Sequence, residues 1–203
     1  MELFLKSFLT LLVVVDPVGL VPVFLALAGD RPPREQARIA RKAVLVAGAV
    51  LTFFFFFGRE LLAYLGISLD ALRVAGGILL FRIATEMVFA HHERETEEEA
   101  REARERADIS VFPLAIPLIA GPGALASVLV LGAEAGRAPL GVGTVLLTAF
   151  LVLALAYLFL RGAAGVRRAL GRTGVNVVTR VLGILLAALA VQYVAGGVMG
   201  FLG

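Results

Sequence analysis

Six long apolar runs, separated by clusters of charge, restrict what this chain of 203 residues can fold into. They fall at about residues 3–27, 44–57 (continuing to 64), 71–90, 111–131, 140–160 and 175–202. A helix rises ~1.5 Å per residue and the hydrocarbon core of a bilayer is ~30 Å thick, so runs of about 20 residues match one crossing each. Composition agrees: 60% of the side chains are apolar and 17% charged, against about 45–50% and about 25% in water-soluble domains. Such a chain has too little polar surface to cover a globule of its own size. The first run continues through Pro17 to Leu27 with no small-residue cleavage site and with Glu2 weakening a basic start, so it reads as a retained span and not as a signal peptide. The expectation is an all-α polytopic membrane protein, a single domain over residues 1–203 with six transmembrane helices.

Lys and Arg set the expected orientation. Residues 31–42 hold five, residues 94–106 four and residues 161–172 four, whereas the opposite loops hold Lys6, Arg59 and Arg137, with Arg73 and Arg180 at span edges. The positive-inside rule then places both termini outside the cytoplasm. These basic residues are divided among short loops beside spans, and no basic run interleaved with aromatics suggests nucleic acid. Residues 93–108, with Glu97 before Arg101 and Glu102 before Arg106, are expected to form a solvated helix joining two halves.

The halves, about residues 1–90 and 110–203 around a charged linker at about 91–109, repeat one another weakly. Pro17 and Pro122 lie 105 positions apart within Asp16-Pro17-Val18-Gly19 and Gly121-Pro122-Gly123, and Arg73-Val74-Ala75-Gly76 is echoed 107 positions later by Arg180-Val181-Leu182-Gly183. Three spans per half is an odd number, so the second copy enters the membrane from the other side, an inverted repeat. Pro removes a backbone donor and Gly loosens the chain, so the first and fourth spans are expected to break near mid-depth. Freed N–H and C=O groups there are tolerated when they face protein or a wet cavity, the way transporters build binding sites.

Half-helices beginning near Pro17 and Pro122 would point N-terminal N–H groups at such a cavity, suited to a carboxylate. Carbonyl ends and Asp16 suit an ammonium group, Na⁺ or a proton, and a small zwitterionic amino acid satisfies both sets. Thr10, Ser127 and Gln192 are polar supplements, each equally explained by bonding back to its own helix. Asp16 before Pro17 is also what a plain helix cap looks like. A carboxylate at depth needs a partner or a proton, and Arg82 and Glu86, four apart on the third span, are candidates for a proton or Na⁺ relay with it; the long Arg82 side chain can equally snorkel to the surface. The five phenylalanines at 53–57 read as lipid contact and packing; Gly196 with Gly200, within a clear span, reads as a helix-packing spacing, whereas Gly132 and Gly136 share the spacing outside a clear span.

Adjacent His91 and His92 lack the i,i+4 spacing of a helical metal site, and the chain has no Cys, so neither a metal nor a cofactor is expected. H-E-x-x-H, G-x-S-x-G and P-loop patterns are missing from the sequence, which argues against an enzyme and against coupling to nucleotide hydrolysis by this chain.

Three motifs together carry a family likeness. DPVGLVPVF at 16–24, LRVAGGILLF at 72–81 with Ala84, Glu86 and Met87 after it, and PLAIPLIAGPGAL at 113–125 resemble the MarC family of bacterial and archaeal integral membrane proteins. The resemblance implies a six-span inner-membrane protein related to the LysE-type exporters, some members of which are described as transporters of small neutral amino acids such as glycine and alanine. By position Asp16, Pro17, Gly19, Pro22, Gly76, Gly77, Gly121, Pro122 and Gly123 fall on its motifs, while Arg82 departs from an apolar position. The expected function is secondary transport or export of small neutral amino acids, driven by Na⁺ or H⁺, by a monomer or homo-oligomer. A facilitative route for another small solute and a non-transporting scaffold or regulator are the alternatives.

Overall fold

A computed structural model describes residues 1–89, 108–136 and 138–202. The expected linker helix and the histidine pair lie outside the described residues. The described chain is helical with no strand among it: α1 (Glu2–Val15), α2 (Leu20–Ala28), α3 (Pro33–Tyr64), α4 (Leu69–Phe89), an irregular coil over Ser110–Ile119, α5 (Pro122–Ala135), α6 (Pro139–Arg161) and α7 (Ala163–Leu202), which breaks at Gly171 (φ 64).

Three of these elements are each long and apolar enough to cross a bilayer: α3, α6 and the Thr173–Leu202 part of α7. Only 28% of the most apolar window of each is buried, so the apolar remainder forms an outer wall suited to lipid. Two bent pairs raise the number to five: α1 with α2, meeting at 41°, and the Ser110–Ile119 coil with α5, meeting at 55°. Neither α1 (14 residues) nor α2 (9 residues) could cross alone; end to end they match the expected first run. The expected third span is the 21-residue α4, long enough by itself, but Asp70, Arg73, Arg82 and Glu86 make it too charged to pass as an apolar span.

The fourth run differs from expectation. Instead of a helix interrupted only at Gly121-Pro122-Gly123, the chain is irregular from residue 110. Phe112 (φ −129, ψ 126) and Ile116 (φ −130, ψ 124) are extended, because each precedes a proline whose ring excludes the helical region for its neighbour. Both of these X-Pro bonds are cis.

The main helix contacts run between the two halves of the chain. α1 and α2 pack on α6, the coil and α5 pack on α3, α4 packs on α5 and most extensively on α7, and α3 meets α6. Among the described residues, the second half packs α5 with α6 and lightly α6 with α7, and no helix pair of the first half packs substantially.

The α4–α7 seam is built from small residues. A Cβ on Gly77 would sit 2.7 Å from the Ala190 carbonyl oxygen, one on Gly197 2.6 Å from the Asp70 carbonyl oxygen, and one on Gly183 2.9 Å from Met87 Cβ. Positions rise on one helix as they fall on the other, so the pair is antiparallel. Gly183, Ala190 and Gly197 recur every seven residues opposite Ala84, Gly77 and Asp70, letting the two backbones approach closely. The expected Gly196–Gly200 spacing is not the contact: Gly196 has nothing within 4 Å, while Gly200 faces the Asp70 side chain. Of the other pair at this spacing, Gly132 faces the Phe55 ring and Gly136 has nothing within 4 Å.

Candidate functional site

The first break is a turn that closes on itself. α1 ends at Asp16, which adopts the left-handed conformation (φ 43, ψ 69) while its N–H donates to the Leu12 carbonyl. Among non-glycine residues Asp and Asn tolerate this region best. The turn carries the chain past Pro17, and the Gly19 N–H donates to Asp16 Oδ1 at 3.0 Å. Helix α2 thus starts at Leu20, not near Pro17 as expected. Asp16 is buried, at 8% exposure. Its Oδ2 lies where a Gly19 side chain would begin, 2.1 Å from that Cβ position, and Thr179 Oγ1 of α7 is 3.3 Å from the same point.

The second break uses backbone alone. Gly121 is extended (φ −79, ψ 176), Pro122 occupies the first turn of α5, and no side chain caps the helix start. Pro is suited there because its missing N–H would have had no helical acceptor. The N–H groups of Gly123 and Ala124 likewise lack one within the helix. A Cβ on Gly121 would meet the Pro117 carbonyl oxygen at 2.3 Å, so the coil folds tightly over this glycine.

The two breaks adjoin. The Gly123 Cβ position lies 3.4 Å from Val14 Cγ1, two residues before Asp16, and is also covered by Leu80 and Ile83 of α4. Buried hydroxyls lie on the elements that meet here, Thr10 (4% exposed) on α1, Ser127 (0%) on α5 and, on α7, Thr179 beside Asp16 and Tyr193 fourteen residues further along. Ser7, Ser127, Thr179 and Tyr193 carry buried side-chain oxygens without a hydrogen-bond partner among the described residues. Buried polar groups are ordinarily bonded.

The remaining expected residues lie elsewhere. Gln192 is exposed, about 100° round α7 from buried Tyr193. Arg82 Nε donates to Glu86 Oε1 at 2.9 Å, and the Arg82 side chain is 72% exposed, turned outward from α4, while Asp16 is buried. The Arg82–Glu86 pair therefore forms, on an outer face. Thr179 and Tyr193 were missed in the sequence; the only signals were a Thr beside Arg180 and a phenol within an apolar run.

Ion pairs mark the two ends of the bundle. Lys6 of α1 meets Glu134 of α5 at 2.6 Å, and Lys42 of α3 meets Asp108, which also accepts from the Ser110 hydroxyl. Those two partners, Lys42 first, hold the Asp108 carboxyl down at about 2. Two shallow hollows lie on outer faces: one of about 200 Å³ bordered by Thr173, Asn176, Val177 and Arg180, the other of about 410 Å³ bordered by Phe4, Phe8, Leu151, Ala154, Leu155 and Leu158.

Apolar helices with a lipid-suited wall, two of them bent at adjoining breaks, define an integral membrane protein of the helical class. The chain belongs to the MarC family of integral membrane proteins, whose model matches residues 1–202. It is 38% identical over 206 residues to a UPF0056 membrane protein of Methanocaldococcus jannaschii, covering all of this chain and 98% of that one. It is 40% identical to the UPF0056 membrane protein YvbG of Bacillus subtilis (95% and 92% covered) and 35% identical to YhcE of Escherichia coli (97% and 92%). No solved structure matches it.

Proposed function

We propose that this protein is a secondary transporter or exporter of small neutral amino acids of the glycine and alanine kind, binding them between the two breaks. The observation that carries the reading is the junction itself. The buried Asp16 carboxylate belongs to one break and the start of α5 at Gly121, Pro122 and Gly123, with no side-chain cap, to the other; Val14, two residues before Asp16, packs on Gly123, and Ser127 follows one turn along α5. An ammonium group suits the first and a carboxylate the second. Asp16 is the candidate for coupling to Na⁺ or H⁺; Arg82 and Glu86, on an outer face, are candidates for the cytoplasmic end of that coupling. Tight packing of Gly123 against Val14, Leu80 and Ile83 corresponds to a closed conformation, and transport requires these surfaces to part.

The same reading takes α4 as a sixth crossing and the halves as inverted three-helix repeats within one domain. Three features support it: the antiparallel α4–α7 seam, the exchange of contacts between halves, and the grouping of Lys6 with Glu134 at one end and Lys42 with Asp108 at the other. Both termini then lie outside the cytoplasm in a bacterial-type inner membrane.

The test is uptake of radiolabelled glycine and alanine by proteoliposomes, with and without imposed Na⁺ and H⁺ gradients. Accumulation above equilibrium under one gradient is the expected result. Equilibration without accumulation replaces coupled transport by facilitation, and no flux of either amino acid favours a scaffold.

A further inference from the structure

Four buried hydroxyl groups without a partner among the described residues are an expensive feature in a protein interior. Three of them, Ser7, Ser127 and Tyr193, sit on the elements that run from the breaks toward the Lys6–Glu134 end. Helices α1 and α5 are antiparallel there: Val14 lies beside Gly123 and Lys6 pairs with Glu134. That register sets Thr10 level with Ser127 and Ser7 about one turn above it, all on the buried side of α1. The Tyr193 phenol, 6% exposed, enters from α7 beside the Ser127 hydroxyl without a formed hydrogen bond between them. Arg73 holds Asp70 at 2.8 Å at the start of α4. From that end inward the order is a rim of both charge signs, a collar of hydroxyls, then the uncapped start of α5.

The geometry points to a second solute station in this half of the protein, where Tyr193, Ser127 and Ser7 donate hydrogen bonds to the carboxylate of the amino acid as it passes between the rim and the breaks. Hydroxyl groups are the fitting chemistry. Each offers one O–H to a group with about four acceptor positions, and none carries a charge that would hold the solute too tightly to release. The rim, with a Lys and an Arg beside a Glu and an Asp, attracts a zwitterion without favouring either ion alone. The inference rests on the transport reading and adds Tyr193 and Ser7 to it.

Proteoliposomes with wild type, Tyr193→Phe, Ser127→Ala and Thr148→Val test it. Thr148 is a buried hydroxyl on α6 that already donates to the Val145 carbonyl, and serves as control. Glycine uptake is competed with glycine and with glycinamide, which keeps the ammonium group and lacks the carboxylate. Tyr193→Phe, which removes one oxygen and no packing, is expected to raise the KM for glycine about tenfold, the scale of a hydrogen bond to a charged group, while glycinamide competes as before; Ser127→Ala follows in the same direction and Thr148→Val stays at wild type. The chain has no Cys, so Ser127→Cys creates a unique thiol, and glycine is expected to slow its labelling by a membrane-impermeant reagent. Wild-type KM and wild-type discrimination against glycinamide in both hydroxyl variants, or thiol labelling indifferent to glycine, would overturn the station and leave transport standing. Wild-type vesicles that take up neither glycine nor alanine would sink both.

Discussion

The two breaks solve the same problem by different means. At the first, a side chain closes the turn: Asp16 caps the end of α1 through its own left-handed backbone and accepts the Gly19 N–H with its carboxylate. At the second, α5 starts from Gly121 and Pro122 with no side chain in attendance, after a coil that two prolines keep out of helical geometry. One interruption brings a negative charge and uses part of it locally; the other starts its helix without a side-chain cap. The contrast shows that a span can be broken with a side chain closing the turn or with backbone alone, and here the two solutions adjoin.

Removing the charge alone separates the roles at the first break. Asp16→Asn keeps an oxygen for the Gly19 N–H and tolerates the left-handed conformation, so glycine flux in proteoliposomes is expected to fall at least about tenfold, the minimum for losing a charged ligand, while thermal unfolding in detergent shifts little. Unchanged flux would reduce Asp16 to a cap. The glycines of the second break sort by what blocks them. Gly121→Ala drives a methyl into the Pro117 carbonyl, backbone that cannot step aside, with an expected loss of about 1–3 kcal/mol. Gly123→Ala meets the tip of Leu80, which can rotate, and is expected to cost less than about 1 kcal/mol in stability while weakening glycine binding. Equal destabilisation would mean that the coil is not folded tightly over Gly121.

The smallest effect expected lies at the Lys42–Asp108 pair. The Asp108 carboxyl is held at about 2, below its ordinary 3.8, so its stabilising share is present above about pH 4 and is lost as the pH falls toward 2. Because both side chains are about half exposed, the gain is modest and weakens with salt. Acid titration of unfolding for wild type against Lys42→Met should differ only above that window, with the variant the less stable.

Much of the architecture was readable from residue order because lipid leaves so few options. The apolar runs fall on α1 with α2, on α3, α4, α6 and α7, and both proline–glycine interruptions fall where the helices bend. Local sequence also carried the Arg82–Glu86 pair, since four residues on a helix bring two side chains together. What escaped depends on partners. The α4–α7 seam repeats every seven residues across an antiparallel pair, and nothing within one helix says that Gly183 and Gly197, not Gly196, will face a neighbour. Gln192 and Tyr193 are adjacent in sequence but a 100° turn apart on α7, so one is exposed and the other buried according to a rotation that only packing fixes. The coil before Pro122 was hidden for another reason: its prolines allow either a kinked helix or an extended run, and the tight fold over Gly121 decides.

Contacts exchanged between the halves have a consequence for biogenesis. Residues 1–89 bring almost no mutual packing of their own, so a nascent chain released after its first three apolar elements has no finished interior and stays a substrate for quality-control proteases until the remainder is inserted. Two separately expressed fragments should therefore each be short-lived alone and persist when made in the same cell, each acting as the other's chaperone.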